Sequence, residues 1–139
     1  MSSLFRTILA IATVAILSAC GLTKSKDVAV KFVDAFHQQF NDSKFGEIYS
    51  ASTPAFKSAA NEPEFMKFIG AVRTKLGPVK GASQNGWKVN SINGVTSVVL
   101  TYKTDFEKGS ADETFTFIVS GESAAIQGYN VNSPTLITN

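Results

Sequence analysis

The chain has 139 residues, with 13 basic and 11 acidic side chains and one histidine, for a formal charge of +2 at neutral pH. That length suits one domain, and charges scattered in near balance rather than gathered into a basic block argue against a nucleic-acid partner. One cysteine cannot form an intrachain disulfide, so packing alone must hold the fold.

Arg6 is the sole charged side chain before Lys24, and Ile8 to Ala19 is almost wholly apolar. This is the n-region and h-region arrangement of a secretory signal. The run stops well short of the roughly 20 apolar residues that a membrane span needs. It closes on Leu17-Ser18-Ala19-Cys20, an aliphatic residue, two small ones and the cysteine. At every position this resembles the bacterial lipobox.

The resemblance implies a cleaved signal peptide over residues 1–19, a diacylglyceryl group on the Cys20 sulfur, and acylation of the new amine. Each buried methylene adds about 0.8 kcal/mol, so two or three chains hold a protein firmly on a bilayer. The lipid bilayer is thus the first expected partner, reached through acylated Cys20. Gly21 stands where the resemblance to Gram-negative lipoproteins would place an inner-membrane retention aspartate. That implies an exported protein on the periplasmic side of the outer membrane, if the cell is Gram-negative. Removing nineteen residues from 139 leaves 120. Residues 20–26 are expected as the lipidated cysteine and a short tether, in which Gly21 to Lys26 span at most about 20 Å.

Residues 27–133 read as a single α+β domain. Val28, Phe32, Phe36 and Phe40 recur every fourth residue beside Val33, which predicts a helix from about Lys26 to Phe40 that Asn41-Asp42-Ser43 stops. A short helix is expected from Lys44 to Ala51, capped by Asp42 or Ser43, with Phe45, Ile48 and Tyr49 inward and Pro54 as its break. Asn61 and Glu64 form a capping-box signature for a third helix. Phe65, Phe68, Ile69, Val72 and Leu76 share its face, and Gly77-Pro78 is its stop.

The second half alternates with period two. Asn93-Gly94 predicts a type I′ hairpin pairing Ile92 with Val95, Val89 with Val98 and Trp87 with Leu100. Gly121-Glu122 suits a type II′ loop that pairs Ser120 with Ser123, Val119 with Ala124 and Phe117 with Ile126, and then sets Gly128 opposite Phe115. For the middle loop, a register with Lys108 opposite Glu113 and Phe106 opposite Phe115 is preferred to one that sets Glu107 against Asp112. Together the loops place Trp87, Val89, Val98, Leu100, Tyr102, Phe106, Phe115, Phe117, Val119 and Ile126 on one face. Lys88, Asn90, Ser97, Thr101, Lys103, Asp105, Thr114, Thr116 and Gln127 take the other. The expected architecture is α+β, with N-terminal helices packed on one face of a curved four-stranded antiparallel meander. Residues 134–139 are a tail.

Phe45-Gly46-Glu47-Ile48-Tyr49, Pro54-Ala55-Phe56, Gly77-Pro78-Val79, Leu100-Thr101-Tyr102 through Phe106, Glu113-Thr114-Phe115-Thr116-Phe117 and Gly128-Tyr129-Asn130-Val131-Asn132-Ser133 are similar to small bacterial lipoproteins of the domain-of-unknown-function 4019 type. The likeness covers roughly residues 36–133. It implies a cone of the nuclear transport factor 2-like and cystatin-like kind, and carries no assigned activity.

Cone folds enclose a cavity, so polar residues that interrupt the apolar face are the candidates for its mouth. These are Tyr102, Thr104 and Asn130, with His37 at the rim of the first helix. The favoured reading is a binding or assembly module of the envelope that takes a small apolar ligand or an envelope protein. The alternative is a small cavity enzyme of the isomerase or dehydratase kind, with its acid–base group among Asp34, His37, Tyr49 and Tyr102. Asp105 belongs to the outer face in this register. No cofactor is implied, and without a histidine and cysteine cluster neither is a metal. Tyr129, Val131, Val99 and Ile118 are expected to give the outer sheet face an apolar patch suited to a homodimer.

Overall fold

A computed structural model describes the backbone of residues 2–138 and the side chains of residues 20–138. The side chains of the expected signal peptide, residues 1–19, lie outside the described residues. The first helix, α1 (Ser2–Asn41), buries Val28, Ala29, Val33, Phe36 and Phe40 along one stripe. That is the three-and-four spacing of a helix lying on a core. It does not begin near Lys26, as the periodicity predicts, but runs on through Cys20. The segment expected as a tether is therefore a helical stem, and at about 1.5 Å per residue Gly21 to Lys26 reach about 9 Å.

α1 ends at Asn41, where the sequence puts the stop. The Asn41 side chain donates to the Val79 carbonyl at 3.1 Å and accepts from the Val79 N–H at 2.7 Å, tying the helix end to the start of the sheet. α2 (Phe45–Ser50) buries Ile48 and Tyr49. Its N-cap is Lys44 with no side-chain cap bond, so neither Asp42 nor Ser43 plays the expected part. Pro54 ends that segment and also begins α3 (Pro54–Ala59), which the sequence reading lacks. Thr53 accepts from the Phe56 N–H at 3.2 Å, and a proline in the first turn forfeits no helical hydrogen bond.

α4 (Glu62–Leu76) carries the expected capping box, with Asn61 accepting from the Glu64 N–H at 3.0 Å and Glu64 accepting from the Asn61 N–H at 3.1 Å. It buries Phe65, Ile69, Val72 and Leu76, whereas Phe68 stays 44% exposed. Gly77 terminates it at φ 76°, a backbone angle that strains any residue with a Cβ.

The sheet consists of β1 (Val79–Ile92), β2 (Val95–Phe106), β3 (Gly109–Ser120) and β4 (Ser123–Asn132), an open antiparallel meander in the order β1-β2-β3-β4. Asn93 and Gly94 have φ of 52° and 78°, as a type I′ turn requires, and the pairs Ile92–Val95, Val89–Val98 and Trp87–Leu100 form. Gly121 has φ 59°, and Ser120–Ser123, Val119–Ala124 and Phe117–Ile126 pair as expected.

Two registers differ from expectation. Phe106 pairs with Gly109 around a two-residue turn at Glu107-Lys108, so Phe115 opposes Leu100 and Glu113 opposes Tyr102. The reason is tertiary. The Glu107 N–H donates to the Pro78 carbonyl and the Lys108 N–H to the Leu76 carbonyl, both at 2.9 Å, and Lys108 Nζ donates to the Thr74 carbonyl at 3.0 Å. The turn thereby satisfies carbonyls at the end of α4 that have no partner within the helix. Because the slip from Phe115 to Gly109 is even, each side chain keeps its predicted face.

The second difference is a bulge. Phe117 pairs with Ile126 but Thr116 with Gly128, leaving Gln127 as the extra residue. A bulge reverses the faces beyond it. Tyr129 and Val131 consequently lie opposite Phe115 and Glu113 and pack against the core, while Asn130 opposes Thr114 and is exposed. Of the outer apolar patch expected for a homodimer, only the half-buried Val99 and Ile118 remain outside.

The helices cover the inner face, where Phe36 meets Phe115 edge-on at 5.1 Å and Phe40 meets Phe106 at 5.8 Å. Trp87 shares that face but sits on the edge strand, 54% exposed, with Lys26 Nζ 5.5 Å from its ring centre. The expected tail forms α5 (Pro134–Ile137), held where Lys75 Nζ donates to the Leu136 carbonyl at 3.0 Å. We expect Phe115→Ala to cost about 3–5 kcal/mol in urea unfolding, and Phe68→Ala under about 1 kcal/mol.

Candidate functional site: a buried carboxylate and an exposed cysteine

Glu113 occupies an inward position of β3, in step with Phe115, Phe117 and Val119, and is 1% exposed. Moving a carboxylate out of water costs several kcal/mol unless donors replace the lost hydration. Three side chains from three elements do so. His37 Nε2 of α1 donates to Glu113 Oε1 at 2.7 Å, and Thr104 Oγ1 of β2 donates to the same oxygen at 2.6 Å. The Tyr129 hydroxyl of β4 donates to Oε2 at 2.6 Å. Hydrogen bonds to an ionised acceptor are about twice as strong as neutral ones. The carboxylate also sets the histidine tautomer, since Nε2 must carry the proton it donates.

Burial and the adjacent Glu113 anion hold the Tyr129 hydroxyl well above its ordinary pKa of 10. Burial, assisted by Asp34 and Glu113, pushes Tyr102 up to about 12. The Tyr102 hydroxyl is itself buried with no hydrogen-bond partner. Its ring stands edge-on to His37 at 6.4 Å and to Phe115 at 5.9 Å.

The structure thus brings together three of the four expected pocket residues, His37, Tyr102 and Thr104, but in the interior rather than at a mouth. His37 is not at a rim: the turn of α1 that carries it lies against the sheet, and the residue is buried. Asn130 is excluded from the group by the bulge at Gln127. Asp34 is exposed on α1, and Asp105 is exposed on the outer face as expected. Tyr49 serves elsewhere, donating to the Ala60 carbonyl at 3.0 Å and bracing α2 against the α3–α4 connection. Glu113 is the residue that sequence reasoning misses. Its signal was the alternation itself, which puts position 113 on the same face as Phe115 and Phe117.

A cavity of about 110 Å³ lies between α1, α2 and the β3–β4 pair, lined by Phe32, Phe36, Ile48, Phe117 and Ile126, with Gln39 as a polar contributor. It is not lined by Glu113 or its partners. A second, open depression of about 380 Å³ follows one side of the α1 stem past Cys20, Thr23, Lys24 and Asp27. The Cys20 thiol is free and exposed there. Among the described residues, no cluster of three histidine, cysteine, aspartate or glutamate side chains is placed to hold a metal ion. No helix among them is long and apolar enough to cross a membrane. The chain matches no protein-family profile, and no curated protein is similar to it in sequence.

Removing one partner of a buried pair leaves the other uncompensated, so His37→Leu is expected to cost about 3–5 kcal/mol in urea unfolding. A cycle with Glu113→Gln should show coupling of at least about 1 kcal/mol. The tyrosine shifts also give an alkaline signature. A folded pKa raised above the unfolded value adds stability that is complete below that unfolded value and is lost as pH rises through the folded one. Stability should therefore fall above about pH 10, and less steeply in Tyr129→Phe, when unfolding is followed from pH 8 to pH 11.

Proposed function

We propose that this chain is an exported lipoprotein, anchored through acylated Cys20 and serving as a binding or assembly module of the cell envelope. The observation that carries the anchoring is Cys20 itself, an exposed free thiol directly after Leu17-Ser18-Ala19 on a helix that leads into the core. Every buried residue among the described side chains lies at Val28 or later, so cleavage before Cys20 spares the whole described core. The same reading places the protein among small lipoproteins of the domain-of-unknown-function 4019 type, on the periplasmic side of the outer membrane if the cell is Gram-negative.

The apolar cavity supports the binding half of the reading. At about 110 Å³ it is well below the roughly 300–1,000 Å³ of ordinary ligand pockets. It fits a single apolar group, such as one side chain of an envelope protein or one end of a small apolar ligand. One observation favours the alternative of a small cavity enzyme. Glu113 is a buried carboxylate bonded to a histidine, which is the kind of group such an enzyme needs. Against it, Oε1 already accepts two hydrogen bonds and Oε2 one, and the apolar cavity is lined by other residues.

Cells grown with radiolabelled palmitate should yield labelled native chain in the membrane fraction. Cys20→Ser should be unlabelled, and either unprocessed or soluble. Label on the Cys20→Ser chain, or none on the native one, refutes the anchoring.

A further inference from the structure

The α1 stem fixes which end of the domain faces an anchor at Cys20. Lys24 Nζ lies 2.8 Å from Glu122 Oε1 in the β3–β4 turn, so this part of α1 passes within side-chain reach of that end of the sheet. In a meander the β1–β2 turn lies at the same end. Thr96 pairs with Val119, which sets Val95 level with Ser120 and brings the two turns to a common height. Cys20 comes four residues before Lys24 and so lies about 6 Å further along the helix, away from the core. The headgroup layer of a bilayer has about the same thickness.

What the β1–β2 hairpin presents there is apolar and uncharged, while the neighbouring β3–β4 turn carries one charge, Glu122, neutralised by Lys24. Ile92 and Val95 flank the β1–β2 turn and are 60% and 53% exposed. No charged side chain occurs between Lys88 and Lys103. Leu22 is exposed on the stem, and Lys26 holds the exposed Trp87 ring beside it. The other end of the sheet is different, with Asp105, Glu107, Lys108 and Asp112 around the β2–β3 turn. Exposed apolar groups that point at water from an unpaired tip lose nothing by entering a lipid interface, whereas a charged tip would lose its hydration.

Resting on the anchoring proposed above, we propose that the β1–β2 hairpin tip, with Ile92 and Val95, docks into the headgroup region of the membrane that holds Cys20. The domain then stands in one orientation, its β2–β3 turn pointing away from the lipid.

Two single-tryptophan variants test this, Ile92→Trp and Asp105→Trp, each combined with Trp87→Phe. Each is purified as the lipoprotein and placed in phosphatidylethanolamine and phosphatidylglycerol vesicles that contain a headgroup spin label. Quenching should remove about half of the emission at position 92 and almost none at position 105, as an interfacial depth of 5–10 Å for the tip requires. Equal quenching at the two positions, strong or weak, overturns the docking. A second arm couples the chain from Cys20, through its sole thiol, to maleimide-bearing phosphatidylethanolamine in the same vesicles, so the tip is tested whether or not cells acylate the protein. The unequal pattern in this arm upholds the docking surface even if palmitate labelling has failed. Equal quenching in it refutes the surface even where labelling has succeeded.

Discussion

Packing of aromatic and aliphatic side chains is non-directional, and a helix held only by such contacts could slide or rotate on the sheet. Glu113 removes that freedom. Its two oxygens are bonded by groups from α1, β2 and β4, and with β3, which carries the glutamate, four elements meet at one buried charge. Geometry is demanding because a buried anion that loses a donor is left poorly solvated. Asn41 adds a second directional tie one turn further on, at the C-terminal end of α1, bonding both backbone groups of Val79. With two such points fixed, the height and rotation of α1 over the sheet are fixed as well. So is the direction in which its N-terminal stem leaves the domain. The Lys24–Glu122 pair on that stem is exposed at both partners, where solvent screens the attraction. Stem direction therefore derives from the continuity of the helix and from its buried anchors, not from the surface pair.

Local signals carried most of the architecture. The four-residue spacing of Val28, Phe32, Phe36 and Phe40, the Asn61–Glu64 box, Gly77-Pro78 and the two glycine hairpins each encode their structure within a few neighbouring residues. They were legible for that reason. The β2–β3 turn encodes nothing comparable. Neither Glu107 nor Lys108 takes a positive φ, and what selects this turn is its docking on the end of α4, about thirty residues earlier in the chain. A favourable charge pair, Lys108 with Glu113, looked decisive in the sequence. Such pairs are worth only a few tenths of a kcal/mol, and satisfying backbone groups outweighs them.

The bulge at Gln127 was less legible still. One extra residue reverses the face of all that follows, and here it brings Tyr129 inside to become a donor to Glu113. The candidate site was therefore half visible. His37, Tyr102 and Thr104 were marked because polar residues stood beside or within apolar stripes. Glu113 and Tyr129 were misplaced by the two registers that tertiary contacts decide. The site's members come from residues 37, 102, 104, 113 and 129, so no local motif could have announced it.

The same geometry bears on whether Glu113 acts on anything. A carboxylate that takes a proton from a substrate needs an oxygen free to approach it. Oε2 of Glu113 accepts only from Tyr129 and keeps a lone pair, but at 1% exposure nothing reaches it without opening the interior, and freeing Oε1 means displacing Thr104 or His37. Each displaced donor would then be buried and unsatisfied at a cost of about 1–3 kcal/mol. A hydroxyl of that kind is already present at Tyr102. The cluster is consequently built to hold its shape. The binding proposed for this chain falls instead to parts of the molecule that are incomplete on their own, the apolar cavity beside α2 and the uncharged β1–β2 hairpin tip.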